Sequence, residues 1–218
     1  MKKHIVCLGD SNTHGYCADP ADCADGGARF NEEERWTCLL QSALGPEYLV
    51  CEEGLIGRTT VFEDPLQEGL CGLNYLVPCL LTHAPVDLLL VMLGTNDTKE
   101  RFGCSAACIA LGLERLIRKA QSQPLCWGER GPNILILAPP PIDAGIASSP
   151  VAATMGLDCV EKSHALASLY RDTAQRLNCQ FFDTRAASEF NQIDFMHLTR
   201  RGHAQLAEAL TRLIPALV

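Results

Sequence analysis

Ser11, His197 and Asp194 are residue types that together can perform nucleophilic catalysis. The hydroxyl of Ser11 is a weak nucleophile unless a base within hydrogen-bonding reach takes its proton. The imidazole of His197 can be that base, and its second ring nitrogen then needs an acceptor that fixes the tautomer and stabilises the imidazolium. Asp194 precedes His197 by three residues, so its carboxylate can reach the ring within one turn of the chain. We therefore take these residues as candidate nucleophile, base and orienting acid.

The candidates lie in four polar segments, three of which follow predicted strands, whereas the fourth precedes the last predicted helix. A second interpretation stays open, because Asp10, Asn96, Asp97 and His197 are also ligand types found in metallophosphoesterases. The chain lacks the additional His-rich motifs that a two-metal site requires, so we expect no metal. The segments are Gly9-Asp10-Ser11-Asn12, residues 53–59, Gly94-Thr95-Asn96-Asp97 and Asp194-Phe195-Met196-His197.

Apolar runs that alternate with longer helical patterns predict an α/β fold. The clearest strand, residues 86–93, is an almost continuous Leu/Val run, as expected where both faces of a sheet are covered. We predict three layers around a doubly wound, flavodoxin-like parallel sheet of about five strands. The predicted strands are residues 4–8, 48–51, 86–93, 133–138 and 180–182, and the predicted helices are residues 35–44, 69–83 (short or kinked, because of Pro78), 106–122, 156–177 and 199–213 with Thr199 as N-cap.

This topology predicts where the polar segments meet. In open α/β sheets, chemistry collects beyond the carboxyl ends of the strands, so all four segments should reach the same edge. No internal repeat or linker divides the chain, and the Asp/Gly/Ala-rich residues 18–34 should form a surface loop. We expect residues 1–218 to form a single domain.

Charge and hydropathy exclude several classes of partner. The 218 residues carry a net charge of −8, with no run of more than two basic residues, so we expect neither nucleic acid nor an anionic membrane as a partner. No apolar run approaches the roughly 20 residues that a membrane-spanning helix needs. The short apolar stretch after the N-terminus does not resemble a signal peptide, and we expect a cytoplasmic protein.

The twelve cysteines lack the paired spacing of a zinc site. The chain is long enough to form a core without disulfides, so we expect mostly reduced, structural thiols. Cys7, Cys38, Cys79 and Cys108 lie within apolar patterns, where cysteine behaves as a small buried hydrophobe.

The four segments, in this order, resemble the conserved blocks of the SGNH (GDSL-type) hydrolase superfamily. Gly-Asp-Ser, Gly-x-Asn-Asp and Asp-x-x-His stand where its first, third and fifth blocks are expected, and the resemblance extends from residue 5 to about residue 205. More narrowly, Glu-Gly-Leu-x-x-Arg-Thr-Thr at residues 53–60 and Met-Leu-Gly-Thr-Asn-Asp-Thr-Lys at residues 92–99 resemble the arylesterase/acyltransferase branch.

The resemblance implies a serine esterase that acts on small aryl or short-chain acyl esters through an acyl-enzyme, with acyl transfer to alcohols as an additional reaction. Ser11, Asp194 and His197 would be catalytic. The backbone N–H groups of Ser11 and Gly57 and the side-chain amide of Asn96 would form the oxyanion hole. The resemblance further implies no organic cofactor, a small-molecule ester as substrate and a homo-oligomer.

Four residues beside these motifs have supporting roles in this interpretation. Asp10 and Asp97 should hold the turns around the catalytic residues by hydrogen bonds to backbone groups. Asn12 stands where the family expects leucine, so it should alter the packing beneath the nucleophile or reach the rim of the pocket. His14 replaces a tryptophan that is common in the acyltransferase branch, and it could line the acyl pocket. A bulky apolar wall such as tryptophan helps to exclude water from the acyl-enzyme. Because His14 does not provide that wall, the replacement favours hydrolysis over acyl transfer.

Two other functions remain open from the sequence. Carbohydrate O-acetyl groups are an alternative substrate, because the loops that shape the pocket cannot be arranged from one sequence. A non-catalytic, flavodoxin-like module that binds a small ligand at the edge of the sheet is the other alternative. Among the remaining histidines we expect His203 on the surface of the closing helix, and we assign no function to His83.

Overall fold

A five-stranded parallel sheet forms the centre of the computed structural model, which describes all 218 residues. Its strand order, β2-β1-β3-β4-β5, confirms the predicted doubly wound α/β fold. The strands are β1 (Lys3–Gly9), β2 (Tyr48–Gly54), β3 (Leu88–Met92), β4 (Ile134–Ala138) and β5 (Gln180–Asp183). The helices are α1 (Ser11–His14), α2 (Trp36–Leu44), α3 (Gly72–His83), α4 (Ala106–Gln121), α5 (Ala152–Met155), α6 (Cys159–Leu177) and α7 (Arg200–Leu213).

Helices cover both faces of the sheet, which explains why its central strands are continuously apolar. Every residue of β3 is buried. In β1, Val6 and Leu8 pack into a core cluster with residues of α3, α4 and α6. Ile5 and Cys7 point to the other face, where they pack with residues of α2 and α7. The two clusters are the two interfaces of a three-layer structure.

The observed boundaries differ from the predicted ones where glycine or proline intervenes. The α3 helix begins at Gly72 and continues through Pro78 to His83. The long α6 helix begins three residues later than predicted, because Gly156, with φ of 76°, ends the separate short helix α5. At α7, the Thr199 side chain accepts a hydrogen bond from the N–H of Gly202 at 2.9 Å, which confirms it as the N-cap.

Two predictions of exposure are wrong. His203 is fully buried rather than on the helix surface, because the first turn of α7 faces α2 and the His203 Nδ1 accepts the N–H of Trp36. Cys108 is exposed, whereas Cys7 and Cys79 are buried and Cys38 is partly buried. The apolar side of α4 is formed by Ile109 and its helical neighbours, so Cys108 faces outward.

The strand order brings the polar segments to one edge. Ser11 follows β1 and Asn96 follows the adjacent β3, at the point where the strand order reverses. None of the helices combines the length and the apolar character that crossing a membrane requires.

Candidate active site

Ser11, His197 and Asp194 form a continuous line of hydrogen bonds. The Nε2 of His197 lies 2.7 Å from the Oγ of Ser11, and its Nδ1 lies 2.6 Å from the Oδ2 of Asp194. All three side chains belong to buried residues. The structure therefore brings together two segments that are 186 residues apart in the chain.

The loop before α7 positions the carboxylate of Asp194 against the imidazole of His197. The Oδ1 of Asp194 accepts the backbone N–H groups of Met196 (3.2 Å) and His197 (3.1 Å) and the side-chain amide of Asn191 (2.8 Å). Phe195, between the two catalytic candidates, adopts φ of 61°, which is uncommon for a residue other than glycine. This conformation turns the backbone tightly enough for Asp194 to face both the N–H and the ring of His197.

Asp194 remains ionised despite its burial. Burial by itself would raise the pKa of this carboxyl, but the hydrogen bonds and the charge of His197, together with the Asn191 amide, outweigh it and lower the pKa to about 2. A carboxylate in this state can fix the ring tautomer of His197 and stabilise its protonated form.

The turn that carries Ser11 is hydrogen-bonded to the loop that carries Asp194 and His197. The carboxylate of Asp10 accepts the N–H of Asn12 at 3.0 Å, as expected for a residue that holds the turn. The Asn12 side chain donates to the carbonyl of Met196 at 3.2 Å and accepts the N–H of Leu198 at 2.9 Å. Asn12 therefore bridges the Ser11 turn and the backbone on both sides of His197, and it does not line the cavity described below.

Three residues that line one cavity, Ser11, Gly57 and Asn96, carry N–H donors that are not fully used elsewhere. The N–H of Ser11 opens the short α1 helix, where it has no intrahelical acceptor. The N–H of Gly57 also donates to no protein group. Gly57 has φ of 85°, a conformation that favours glycine. One hydrogen of the Asn96 amide donates to the carbonyl of Arg58 at 3.1 Å, which leaves the other available.

Arg58 and Asp97 tie the loop that carries Gly57 to the ends of β1 and β3. Arg58 donates to the carbonyl of Gly9 at 3.0 Å and also to that of Glu53. The carboxylate of Asp97 accepts the N–H of Thr60 at 2.9 Å. Burial raises the pKa of both Asp97 and Asp10 to about 6. The hydrogen bonds from Thr60 to Asp97 and from Asn12 to Asp10 act in the opposite direction but do not outweigh burial.

A cavity of about 210 Å³ opens beside the Ser11 hydroxyl. His14 is not among the residues that line it. The ring of Tyr16 lines it, with its centroid 4.6 Å from that of the His197 ring. The lining residues are Ser11, Tyr16, Ile56, Gly57, Thr95, Asn96, Lys99, Val151, Thr154, Met155, Asp194, Met196 and His197.

Tyr16, Asn191 and Lys99 were not identified as site residues from the sequence. Asn191 has a local signal, because an asparagine two or three residues before a turn can accept the backbone N–H groups of that turn. Its Oδ1 accepts the N–H groups of Ile193 and Asp194 at 2.8 and 2.9 Å. Tyr16 and Lys99 give no such signal, since their contacts with the cavity depend on the folded loops.

The candidate metal ligands from the sequence do not converge. Asp10 accepts the N–H of Asn12 and Asp97 accepts that of Thr60, and neither carboxylate joins His197 in a common set of ligand atoms. A different group, Glu53, Cys79 and His83, has ligand atoms within 4.8 Å of one another. The Nε2 of His83 lies 2.6 Å from the Oε1 of Glu53 in this group.

Comparisons with known proteins agree with this geometry. The model of the GDSL-like lipase/acylhydrolase family matches residues 7–205. A structure of a carbohydrate acetylesterase family member from Sinorhizobium meliloti is 38% identical, with a TM-score of 0.88 over 99% of this chain and 98% of that one. The M. smegmatis aryl esterase is 34% identical, with a TM-score of 0.88 over 99% of this chain and 100% of that one. No curated protein gave a significant match.

Proposed function

This chain belongs to the GDSL-like lipase/acylhydrolase family and is an ester-bond hydrolase, and we propose that it cleaves small aryl and short-chain acyl esters through an acyl-enzyme on Ser11. The observation that carries the proposal is the hydrogen-bonded line from Asp194 through His197 to Ser11, which ends beside unpaired N–H donors at a small cavity. In this proposal Ser11 is the nucleophile, His197 the general base and Asp194 the residue that orients it.

The first half of the reaction transfers the acyl group to the enzyme. His197 takes the Ser11 proton as Oγ bonds to the ester carbonyl carbon, and the carbonyl electron pair moves onto oxygen. When this intermediate collapses, the bond to the alcohol breaks and the alcohol leaves with the proton from His197. Water then adds to the acyl-enzyme by the same route, which releases the acid and restores the serine.

The oxyanion would be stabilised by donors that are already in place. The N–H groups of Ser11 and Gly57 and the free amide hydrogen of Asn96 are fixed before substrate arrives, so little reorganisation is needed in the transition state. Each such donor typically contributes about 3 to 4 kcal/mol of transition-state stabilisation.

The size and lining of the cavity support a short acyl group. Its volume of about 210 Å³ lies below the roughly 300 Å³ at which pockets for drug-sized ligands begin. Apolar contacts come from Ile56, Val151, Met155 and Met196. Because Tyr16 covers one side of His197, some exclusion of water is retained, and we propose acyl transfer to alcohols as a secondary reaction beside hydrolysis.

A panel of p-nitrophenyl esters of increasing acyl length, with and without added alcohol, tests this proposal. We expect the highest kcat/KM for acetate to butyrate and a loss of at least about 10⁴-fold in Ser11→Ala. The exposed Ser168 offers a matched control, since Ser168→Ala removes a hydroxyl outside the site. A fluorophosphonate should label the wild type and the Ser168 variant but not the Ser11 variant. Full activity in Ser11→Ala, or no labelling of the wild type, would refute the assignment.

Carbohydrate O-acetyl esters are a second candidate substrate class. Two related structures support it: the carbohydrate acetylesterase family member described above, and a second carbohydrate acetylesterase from the same organism at 31% identity and a TM-score of 0.89, with 100% of both chains covered. Release of acetate from peracetylated sugars at a kcat/KM above that for p-nitrophenyl acetate would favour this class. The reverse ratio would favour aryl esters.

A further inference from the structure

Lys99 is the only charged residue that lines the cavity apart from His197 and Asp194. It stands three residues after Asn96, so the segment that supplies an oxyanion donor also brings an ammonium group to the cavity wall. Its side chain is 9% exposed, which leaves the group largely removed from bulk water. Burying an ammonium group is costly unless it is paired, and its partners therefore matter.

The ammonium group of Lys99 is incompletely paired. Its Nζ makes no hydrogen bond to a protein group, and the closest carboxylate oxygen, Oδ2 of Asp64, lies 3.9 Å away. The other oxygen of Asp64 lies 3.6 Å from the Nη1 of Arg101. Two cations thus share one buried carboxylate, and this group of three side chains carries a net positive charge.

The other carboxylates near Lys99 do not occupy the cavity. Asp10 and Asp97 are close enough to favour the charged form of the lysine, although burial still lowers its pKa. Both belong to fully buried turns and already accept hydrogen bonds, from Asn12 and from Thr60. Neither lines the cavity, and the three N–H donors of the Lys99 ammonium have no hydrogen-bonded acceptor from the protein.

We propose that Lys99 forms a subsite for a carboxylate of the substrate, so that the preferred substrates are small esters that carry a second, anionic group. The proposal rests on the function proposed above. A substrate carboxylate would supply the acceptor that the ammonium lacks, and charge-assisted hydrogen bonds of this kind are among the stronger polar contacts. The chain as a whole is acidic, with a net charge of −8, so general electrostatic attraction would not select anions. Selection would have to come from Lys99 itself.

Two matched pairs of esters test the subsite on either side of the scissile bond. Mono-p-nitrophenyl succinate and p-nitrophenyl butyrate have four-carbon acyl groups and differ in the terminal carboxylate. Likewise, 4-acetoxybenzoate and phenyl acetate differ in a carboxylate on the leaving group. In at least one pair we expect Lys99→Met to lower the ratio of kcat/KM for the anionic ester to that for the neutral ester by about ten- to a hundredfold. Lys99→Arg should retain most of the preference.

Arg101→Met is the control for charge alone, because it removes a cation from the same Asp64 outside the cavity lining. We expect it to leave the ratio of anionic to neutral ester within about threefold of the wild type. An unchanged ratio in Lys99→Met for both pairs, or an equal loss in Arg101→Met, would overturn the subsite.

The wild-type enzyme gives a test that does not depend on the folding of a variant. Succinate should inhibit hydrolysis of the neutral ester competitively, with a Ki at least about tenfold below that of succinamide. Equal inhibition by the two compounds would contradict the subsite. Because the neutral ester reports Ser11 chemistry separately, loss of the anionic preference alone would refute the subsite and leave the esterase proposal intact.

Discussion

Two histidine–carboxylate pairs in this molecule have the same separation but different surroundings. His197 and Asp194 approach to 2.6 Å at the edge of the sheet, and His83 and Glu53 approach to 2.6 Å between the C-terminus of α3 and the end of β2. Each pair also has a residue of nucleophilic type close by, Ser11 in one case and Cys79 in the other. By residue type alone, both sets could be catalytic.

The order of the contacts distinguishes them. His197 uses one ring nitrogen for the carboxylate and the other for Ser11, so it can take the Ser11 proton while Asp194 stabilises the resulting imidazolium. At the second pair, Glu53 is shared between His83 and the hydroxyl of Tyr75, and the thiol of Cys79 makes no hydrogen bond to the ring. Burial and the Glu53 charge raise the pKa of Cys79 to about 12, so the thiol stays protonated and unreactive. Residue types and one short distance are therefore insufficient evidence for a catalytic site.

Removing one carboxylate charge at each pair should give the largest contrast. We expect Asp194→Asn to lower kcat/KM by about 10³- to 10⁴-fold, because the amide fixes the wrong ring tautomer and cannot stabilise the imidazolium. Glu53→Gln should change it by less than about threefold. Steady-state hydrolysis of p-nitrophenyl acetate by both variants measures the contrast, and equal losses would show that the two pairs do not differ in function.

The proposed oxyanion donors are a second difference, since only the His197–Asp194 pair lines the same cavity as these donors. We expect Asn96→Ala to lower kcat by about 10²- to 10³-fold with little change in KM, because the amide would bind the oxyanion more strongly than the ground-state carbonyl. Since Asn96 also donates to Arg58, the melting temperature of the variant must be measured alongside its activity. A rise in KM with kcat unchanged would assign Asn96 to ground-state binding instead.

The sequence predicted the first pair but not the second, for a physical reason. Asp194 and His197 are three residues apart, so local spacing could indicate their contact, and the apolar run of β3 could indicate a buried strand. Glu53 and His83 are 30 residues apart on different elements, and their contact depends on how α3 packs. His203 was misplaced for another reason: it precedes Leu206 and Leu210 on the buried side of α7, and its polarity concealed that periodicity.

Two carboxylates without a histidine partner extend the comparison to stability. The raised pKa of Asp10 and Asp97, about 6, means that the folded state binds their protons more tightly than the unfolded state, whose pKa is near 4. Ionisation of each carboxyl group therefore lowers the stability of the folded state by about 3 kcal/mol. This loss is complete above pH 6 and disappears towards pH 4. Asp194, with its lowered pKa of about 2, contributes stability above pH 4 that is lost as the pH falls to 2.

Urea unfolding between pH 8 and pH 3 measures these opposing effects. We expect Asp10 and Asp97 to raise the free energy of unfolding as the pH falls from 8 to about 4, and Asp194 to lower it below about pH 4. Asp97→Asn keeps an acceptor for the N–H of Thr60 but cannot ionise, so its rise from pH 8 to pH 5 should be smaller than that of the wild type. An identical slope in the variant would show that Asp97 does not hold its proton more tightly in the folded state.

The smallest expected effect concerns the structural role of the second pair. Glu53→Gln removes a charged acceptor from both His83 and Tyr75, and we expect a loss of about 1 to 2 kcal/mol in the free energy of unfolding. Glu63→Gln is the matched control, because Glu63 bonds only the exposed side chain of Asn74, and it should cost less than about 0.5 kcal/mol. If Glu53→Gln instead left stability unchanged and lowered kcat, the second pair would act on catalysis, and the distinction between the two regions would be lost.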